Sequence, residues 1–495
     1  MQNVTLQKIV KKLNAEFQGD GNTLLSDVTH DSRQAGAGSL FVAIKGLTMD
    51  GHRFVPDVMR RGAVGIISES EIPPNFHGAW LKVNNARQAL AHAAALIYKN
   101  PSHDLNLIGI TGTNGKTTTT YLVFALAEAN RVESAMLTTV EYRIRDKSEP
   151  AVRTTPEASD TNKFLRRAFN ENCKMAVMET SSQAIDLHRC DELRFQAAVF
   201  TNLTRDHLDY HLTMENYFAA KKRLFDGSLG EKPVSSIINI DDEWGVRLAN
   251  ELKSQNQKVV TFAQNNSADL TAQNVEVSLL KGTSFLLRTQ TDKRQINSPL
   301  VGKPHVYNML AAASVAIELG YDLDLIIEGL RTCIGAPGRF ERVPHEGNFA
   351  VVVDYAHSDD ALLNTLKTAR ELTRGKIITV FGCGGDRDKT KRELMGFVAG
   401  KHSDLVVLTS DNPRTEDPLK IILQIETGLK KTSCPYLVIS DRREAIYQAI
   451  IKANPNDVVL IAGKGHETYQ IIGSDKFHFD DREIAHEALK IIDDT

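Results

Sequence analysis

The chain lacks an excess of either charge: 59 Lys and Arg stand against 62 Asp and Glu, a formal net charge of −3. A general DNA- or RNA-binding protein carries a basic excess or stripe, so the balance argues against nucleic acid as a partner. Cysteine is sparse, and Cys173, Cys190, Cys333, Cys383 and Cys434 form no C-x-x-C pair. That pattern fits a reducing compartment better than a disulfide framework or a structural zinc site. No run approaches the ~20 apolar residues that span a bilayer, so no membrane insertion is expected. The opening MQNVTLQKIVKKLNAEF has no continuous apolar core and reads as a short amphipathic helix rather than a signal peptide. Repeats and low-complexity tracts are also missing. These absences lead to the expectation of a soluble, cytoplasmic protein acting on small molecules.

What is present is ordinary globular material: 42% hydrophobic and 24% charged residues exclude bulk disorder and suffice for several cores. At roughly 100–200 residues per domain, the 495 residues suggest about three domains. Residues 1–103 hold short β-rich runs such as SLFVAIK and AVGIIS, with no periodic helix long enough to organise a large domain, and end in the polar linker candidate YKNPSHD. Residues 104–335 alternate apolar runs (Leu107–Thr111, Met175–Glu179, Ala197–Asn202, Ser235–Asn239) with helical patterns, as a mostly parallel sheet does. A hairpin is expected around Lys281-Gly282, followed by helices over 305–319 and 324–332. The glycines and proline of Gly335-Ala336-Pro337-Gly338 mark a second linker. Beyond it, five strands alternate with helices through 336–495, a second doubly wound unit. The expected fold is therefore α/β in three domains: a small N-terminal one, a central phosphate-loop-type sheet and a C-terminal Rossmann-like unit.

The strongest local signal is Gly112-Thr113-Asn114-Gly115-Lys116-Thr117-Thr118, between a strand and a helix. Glycines let backbone N–H groups approach phosphate oxygens, and the helix N-terminus adds a favourable dipole. Lys116 would supply charge to the β/γ-phosphates, and the Thr117 hydroxyl could ligate Mg²⁺. The first glycine of the usual Gly-x4-Gly-Lys pattern is replaced by Ile110. Glu179 ends a strand-like run, where a carboxylate beside a phosphate loop is well placed for Mg²⁺. His207, in TNLTRDHLDYH, could bind metal with Asp206 orienting it, or the segment could be a polar loop satisfying its own backbone. In the C-terminal unit, polar clusters follow successive strands: Asp354-Tyr355-Ala356-His357, the Gly-rich 382–388, Asp411-Asn412-Pro413-Arg414 and Gly463–Glu467. Arg387, Arg414 and Glu467 together suggest a substrate bearing both carboxylate and ammonium groups.

Taken together, these segments resemble the Mur ligase family, the ATP-dependent enzymes that build the peptide of bacterial cell-wall precursors. TGTNGKTTTT, METSS, TNLTRDHLDYH, PGRFERV, DYAHSDDAL, FGCGGDRDK and AGKGHETY occur in the family's order over essentially the whole chain. The resemblance is closest to members that add the third residue to UDP-N-acetylmuramoyl-L-alanyl-D-glutamate. Members that use meso-diaminopimelate carry Asp-Asn-Pro-Arg, as here at 411–414, whereas lysine-adding members differ. The resemblance implies that Gly112 to Thr118 bind ATP, with Asn308, Arg339, Asp354 and His357 at the nucleotide. It implies Mg²⁺ held by Thr117, Glu179, His207 and a carbamylated Lys221, and a catalytic set of Lys116, Lys221, Glu179 and His207. Residues 1–103 become the holder of the UDP end, through His30, Ser32, Leu47, Thr48 and Met49. Thr154, Thr155, Ser181 and Arg189 would contact the muramoyl-peptide. Arg387, Asp411, Asn412, Pro413, Arg414, Gly463 and Glu467 would form the diaminopimelate site. The chain departs from the family at Leu187, at Pro304-His305 and at Arg153, where Gln, Phe-Asn and Asn respectively can stand. The implied reaction phosphorylates the D-glutamate γ-carboxylate and then forms an amide, with ATP as co-substrate and the enzyme a monomer. The competing readings are a lysine-adding ligase, a folylpolyglutamate-synthase-like ligase, a phosphate-loop NTPase switch and a non-catalytic nucleotide binder.

Overall fold

The computed structural model describes residues 4–46 and 49–493. By compactness the chain divides into two units. One comprises residues up to Thr271 with Thr289–Asp292 and Tyr307–Gly329; the other comprises Ala272–Arg288, Lys293–Val306 and the residues from Leu330 onward.

The first unit begins with the amphipathic helix Leu6–Leu13, as its sequence suggested, burying Leu6 and Ile9. Its small sheet runs Glu16–Gln18, Ala79–Lys82, Gly65–Ser68, Ser39–Val42, Asp27–Thr29, parallel except for the first strand. One expectation fails here. Helix Ala86–Ile97, capped by the Asn85 side chain, spans 12 residues and buries eight of them. Its alanines are buried on most sides, so they give no polar–apolar contrast at the 3.6-residue period, and the helix left no periodic signature in the sequence. The expected linker at 98–104 is a short 3-10 turn, Pro101–His103, with Pro101 and Ser102 buried.

Within this unit the larger sheet runs Lys147–Pro150, Glu141–Ile144, Ser134–Leu137, Met175–Glu179, Asn106–Thr111, Ala197–Phe200, Ser235–Asn239, Val259–Ala263 and the first two residues of Leu270–Ser278. From Ser134 through Leu270 every pairing is parallel. Such strands are covered on both faces, which accounts for the unbroken apolar runs in the sequence. The hairpin Glu141–Pro150 adds an antiparallel edge that the sequence pattern did not reveal. After the first strand, Asn106–Thr111, the chain builds one side of the sheet and then crosses to the other. That reversal creates a crevice at the strand carboxyl ends, where ligands bind in open α/β sheets.

In the second unit the order is Glu341–Val343, Ala350–Asp354, Val458–Ala462, Ile377–Phe381, Leu405–Leu408, Tyr436–Val438, with only the first strand antiparallel. All five predicted strands are present. The hairpin segment gains an unpredicted strand, Lys293–Ser298, antiparallel to Gly282–Arg288. Two helices of this unit, Arg442–Ile451 and Asp481–Asp493, are tied together at their first residues by a buried ion pair. Arg442 and Asp481 are both fully buried and meet through two hydrogen bonds of 2.7 Å. Arg442 also donates to the carbonyls of Ala462 (3.0 Å), the last residue of strand Val458–Ala462, and Ser410 (3.3 Å), two residues past strand Leu405–Leu408. Arg442→Met would leave a buried carboxylate without its partner, and should lower unfolding free energy by about 3–5 kcal/mol. The denaturant midpoint of the transition that reports on this unit measures the effect, and an unmoved midpoint would refute it.

Candidate active site

The loop Gly112–Gly115 joins strand Asn106–Thr111 to helix Lys116–Ala129 in the crevice of the larger sheet. Two of its residues must be glycine. A Cβ on Gly112 (φ 147°) would sit 1.9 Å from Thr201 Oγ1, and one on Gly115 (φ 86°) 2.4 Å from Asn308 Oδ1. The neighbouring strand end braces the loop. Thr201 Oγ1 donates to Asn114 O (2.6 Å), Asn114 N donates to Asn202 Oδ1 (2.9 Å), and Thr113 N donates to Asn202 O (2.9 Å). The TNLT segment thus serves as a clamp on the phosphate loop, a role that its sequence did not announce. Lys116 folds back, its Nζ donating to the carbonyls of Gly112 (2.9 Å) and Thr113 (2.7 Å). Ile110, where the usual pattern has glycine, is a buried residue of the strand and lies outside the turn. Asn308 reaches the same place from helix Lys303–Glu318, accepting from Thr119 Oγ1 at 3.4 Å.

Lys221 is buried at 1% exposure on helix Met214–Lys222, and its Nζ donates to Gly112 O at 2.9 Å. Its ammonium lies over the Tyr217 ring, 4.6 Å from the centroid. Burial first, and then the positive charge of Lys116, push this amine well below the usual lysine range, with Asp206 opposing. Tyr217 was not anticipated, although its i, i+4 spacing from Lys221 on one helix was a usable signal. The Tyr217 hydroxyl lies 3.2 Å from Thr113 Oγ1, and its ring stacks on His211, which is bonded to Ser182 Oγ at 2.9 Å. Glu179 is buried at the end of its strand, with Oε1 accepting from Thr139 N (2.8 Å) and Oγ1 (3.1 Å). His207 sits half exposed with φ 52°, 3.6 Å from Asp206 Oδ2, and burial lowers its pKa below the usual imidazole value. Among the described residues no group of three or more His, Cys, Asp or Glu is arranged around a common point. A metal here would draw on the Glu179 carboxylate, the His207 imidazole and the Thr117 hydroxyl, and Lys221 would add an oxygen only as a carbamate. That is a donor set of hard oxygens and one imidazole, which suits Mg²⁺.

Beside Glu179, Thr155 Oγ1 donates to its carbonyl (2.8 Å) and accepts from Ser181 N (3.1 Å), while Thr154 Oγ1 accepts from Thr139 Oγ1 (3.1 Å). Arg189 donates to Thr155 O (3.1 Å) and pairs with Glu157 (2.8 Å). The sequence reading missed Glu157. This nearly buried carboxylate faces Arg189, Arg153 (3.2 Å) and Arg87 (3.8 Å), so three guanidiniums share one anion and the patch is left cationic. His30 and Ser32 follow strand Asp27–Thr29, and His30 Nδ1 is a buried polar atom with no hydrogen-bond partner. Met49 is 56% exposed. Leu47 and Thr48 lie outside the described residues.

In the second unit Arg339, Asp354 and His357 gather around Tyr355. Arg339 stacks over its ring at 4.9 Å, and His357 packs at 4.6 Å. Asp354 accepts from the backbone of Phe340 (2.7 Å) and Ala356 (2.9 Å), and burial raises its pKa. His466, part of the Gly463–Glu467 cluster but given no role of its own from the sequence, also packs on Tyr355 at 4.9 Å, and burial pushes it down to about 4. A cavity of about 360 Å³ opens at the strand carboxyl ends, and four of the sequence's polar clusters converge on it. Arg387, Asp411, Asn412, Arg414, Gly463 and Glu467 all line it. Pro413 is buried, its carbonyl close against Gly385. Arg414 (φ 50°) donates from Nη1 to Gly385 O (2.8 Å), and Asn412 Nδ2 donates to Glu467 Oε2 (2.8 Å). Arg392, fully buried, holds Glu416 (2.9 Å) and the Gly384 carbonyl (3.1 Å) behind this wall.

Three family profiles match the chain: "Mur ligase family, catalytic domain" over residues 25–98, "Mur ligase middle domain" over 110–316, and "Mur ligase, glutamate ligase domain" over 338–465. The chain is 44% identical over 468 residues to the UDP-N-acetylmuramoyl-L-alanyl-D-glutamate–2,6-diaminopimelate ligase of Solibacter usitatus (strain Ellin6076), covering 94% of both chains. It is 43% identical over 484 residues to the ligase of the same name from Caldanaerobacter subterraneus subsp. tengcongensis, covering 98% of both. A solved structure of a ligase with this name matches with a TM-score of 0.73 at 32% identity, over the full length of both chains.

Proposed function

The chain belongs to the Mur ligase family, and from that premise we propose that it joins meso-2,6-diaminopimelate to the D-glutamate γ-carboxylate of UDP-N-acetylmuramoyl-L-alanyl-D-glutamate, at the expense of ATP, in peptidoglycan precursor synthesis. The observation that carries the choice of amino acid is the C-terminal cavity. Its wall combines two guanidiniums, Arg387 and Arg414, with two carboxylates, Asp411 and Glu467, matching a substrate that has carboxylates at both ends and ammonium groups beside them. L-Lysine, with one carboxylate, would leave a guanidinium unmatched.

The chemistry has two steps. The γ-carboxylate attacks the γ-phosphorus of ATP, giving an acyl phosphate and ADP. The neutral amine of diaminopimelate then attacks the acyl carbon: the C–N bond forms, the nitrogen gives up one proton, and inorganic phosphate leaves as the C–O bond breaks. The protein's part is placement and electrostatics. The loop N–H groups and Lys116 face phosphate oxygens, and Asn308, Arg339, Asp354 and His357 serve the rest of the nucleotide. Thr117, Glu179, His207 and a carbamylated Lys221 would hold Mg²⁺, which when bound offsets charge on the transferring phosphoryl group. His30, Ser32 and Met49 serve the UDP end, and the cationic patch of Arg189, Arg153 and Arg87 suits the carboxylates of the muramoyl-peptide. In this reading residues 1–103, 104–335 and 336–495 hold the UDP end, ATP and the amino acid respectively, and the enzyme works as a cytoplasmic monomer.

Phosphate release from ATP tests the reading. It should require the UDP-dipeptide acceptor together with an amino acid, and meso-diaminopimelate should support it far better than L-lysine. Release of phosphate without acceptor and amine would point to an NTPase instead, and equal use of lysine would defeat the assignment of substrate.

A further inference from the structure

Lys464 is fully buried beneath the amino-acid cavity, and its ammonium faces three acceptors: Asn412 Oδ1 at 3.2 Å, Glu467 Oε2 at 3.5 Å and Asp411 Oδ1 at 3.6 Å. A lysine is almost never buried this deeply unless its charge is matched, and here one hydrogen bond to Asn412 and two ion pairs match it. The centroid of the Tyr469 ring lies 5.6 Å from the ammonium.

Two consequences follow from this geometry. The first concerns Asn412. Its Oδ1 accepts from Lys464 and from Ile471 N (3.0 Å), so two donors at one end settle which way the amide points. The other end, Nδ2, is thereby turned to Glu467 Oε2 at 2.8 Å. A flipped amide would set its N–H groups against an ammonium and a backbone N–H. The second concerns charge. Asp411 and Glu467 line the cavity and carry two negative charges, whereas Lys464 supplies one positive charge. Arg442, the next buried cation, is neutralised by Asp481. Lys464, Asp411 and Glu467 taken alone are left with a net −1, while Arg387 and Arg414 stand on the same wall to face carboxylates; Asp411 Oδ1 is a buried oxygen with no hydrogen-bond partner. An ammonium arriving in the cavity supplies the missing charge.

We propose that Lys464 is a positioning residue of the amino-acid site: it fixes the outward face of Asn412 and sets one positive charge against the Asp411 and Glu467 carboxylates, so that the cavity receives a substrate ammonium at a defined place. The inference rests on the reading of this cavity as the diaminopimelate site.

The test is steady-state kinetics on the full chain carrying Lys464→Met, which keeps the apolar stem and removes the charge. The KM for meso-diaminopimelate should rise at least about tenfold, while those for ATP and the UDP-dipeptide stay within about twofold. A residue needed only for folding would move all three together, so an equal rise in the three, or an unchanged diaminopimelate KM, overturns the proposal. If circular dichroism shows Lys464→Met to be unfolded, Lys464→Gln takes its place, since it retains a donor for Asn412 without the charge. Failure of the unsubstituted chain to form an amide with diaminopimelate would instead defeat the functional reading itself.

Discussion

Lys221→Ala is expected to lower ligase turnover on the order of a thousandfold, with part of the activity restored by added acetate or formate. The expectation follows from where the amine sits. Lys221 is buried against the Gly112 carbonyl and over Tyr217, beside a loop built for phosphate, where an ammonium is disfavoured by burial and by Lys116. An amine held neutral is a nucleophile toward carbon dioxide: the N–C bond forms, one N–H proton is lost, and an anionic carbamate results. That reaction converts a cation that would repel a metal into an oxygen donor. Alanine removes the attachment point but leaves a small space, and a free short carboxylate can supply an equivalent oxygen there. The measurement is kcat with and without the added carboxylate. Unimpaired turnover of Lys221→Ala would defeat the carbamate role.

For Arg414→Ala, kcat/KM for meso-diaminopimelate should fall about a hundredfold or more, with the KM for ATP within about twofold of the unsubstituted chain. The backbone of this residue is held by its own bonds, from its N–H to Ile471 O (3.1 Å) and to its carbonyl from Gly473 N (2.8 Å). Truncating the side chain therefore removes the guanidinium with little disturbance of the loop. Nη1 is fixed on Gly385 O, which aims the planar group and prepares it for a carboxylate. L-Lysine brings no distal carboxylate, so the variant should lose little with lysine, and the preference for diaminopimelate should shrink. Equal losses for ATP and diaminopimelate would remove Arg414 from the specificity site.

The parts of the protein that were legible in the sequence are those whose signals are local. Strand Asn106–Thr111, its glycine loop and helix Lys116–Ala129 follow from an apolar run, two small residues and a basic start. The C-terminal strands could be read because parallel strands buried on both faces are unbroken apolar runs. Helix Ala86–Ile97 escaped because alanine hidden on most sides leaves no period, and hairpin Glu141–Pro150 because its edge strands are largely exposed and polar.

The sequence by itself determined the phosphate loop, the alternation that yields parallel sheets, and a set of charged clusters placed after strands. It could state that Lys221 exists, but only as one lysine on a helix. The fold decided that its neighbour is the Gly112 carbonyl, 109 positions earlier in the chain, and that water is excluded there. The same holds for Glu157 among its arginines, which does not stand out by type or spacing, and for Lys464 between Asp411 and Glu467, which the sequence showed only as one residue of a polar cluster. Local propensity depends on residues within a few positions, whereas desolvation and charge pairing depend on groups brought together from distant segments, and these set the electrostatics of the site.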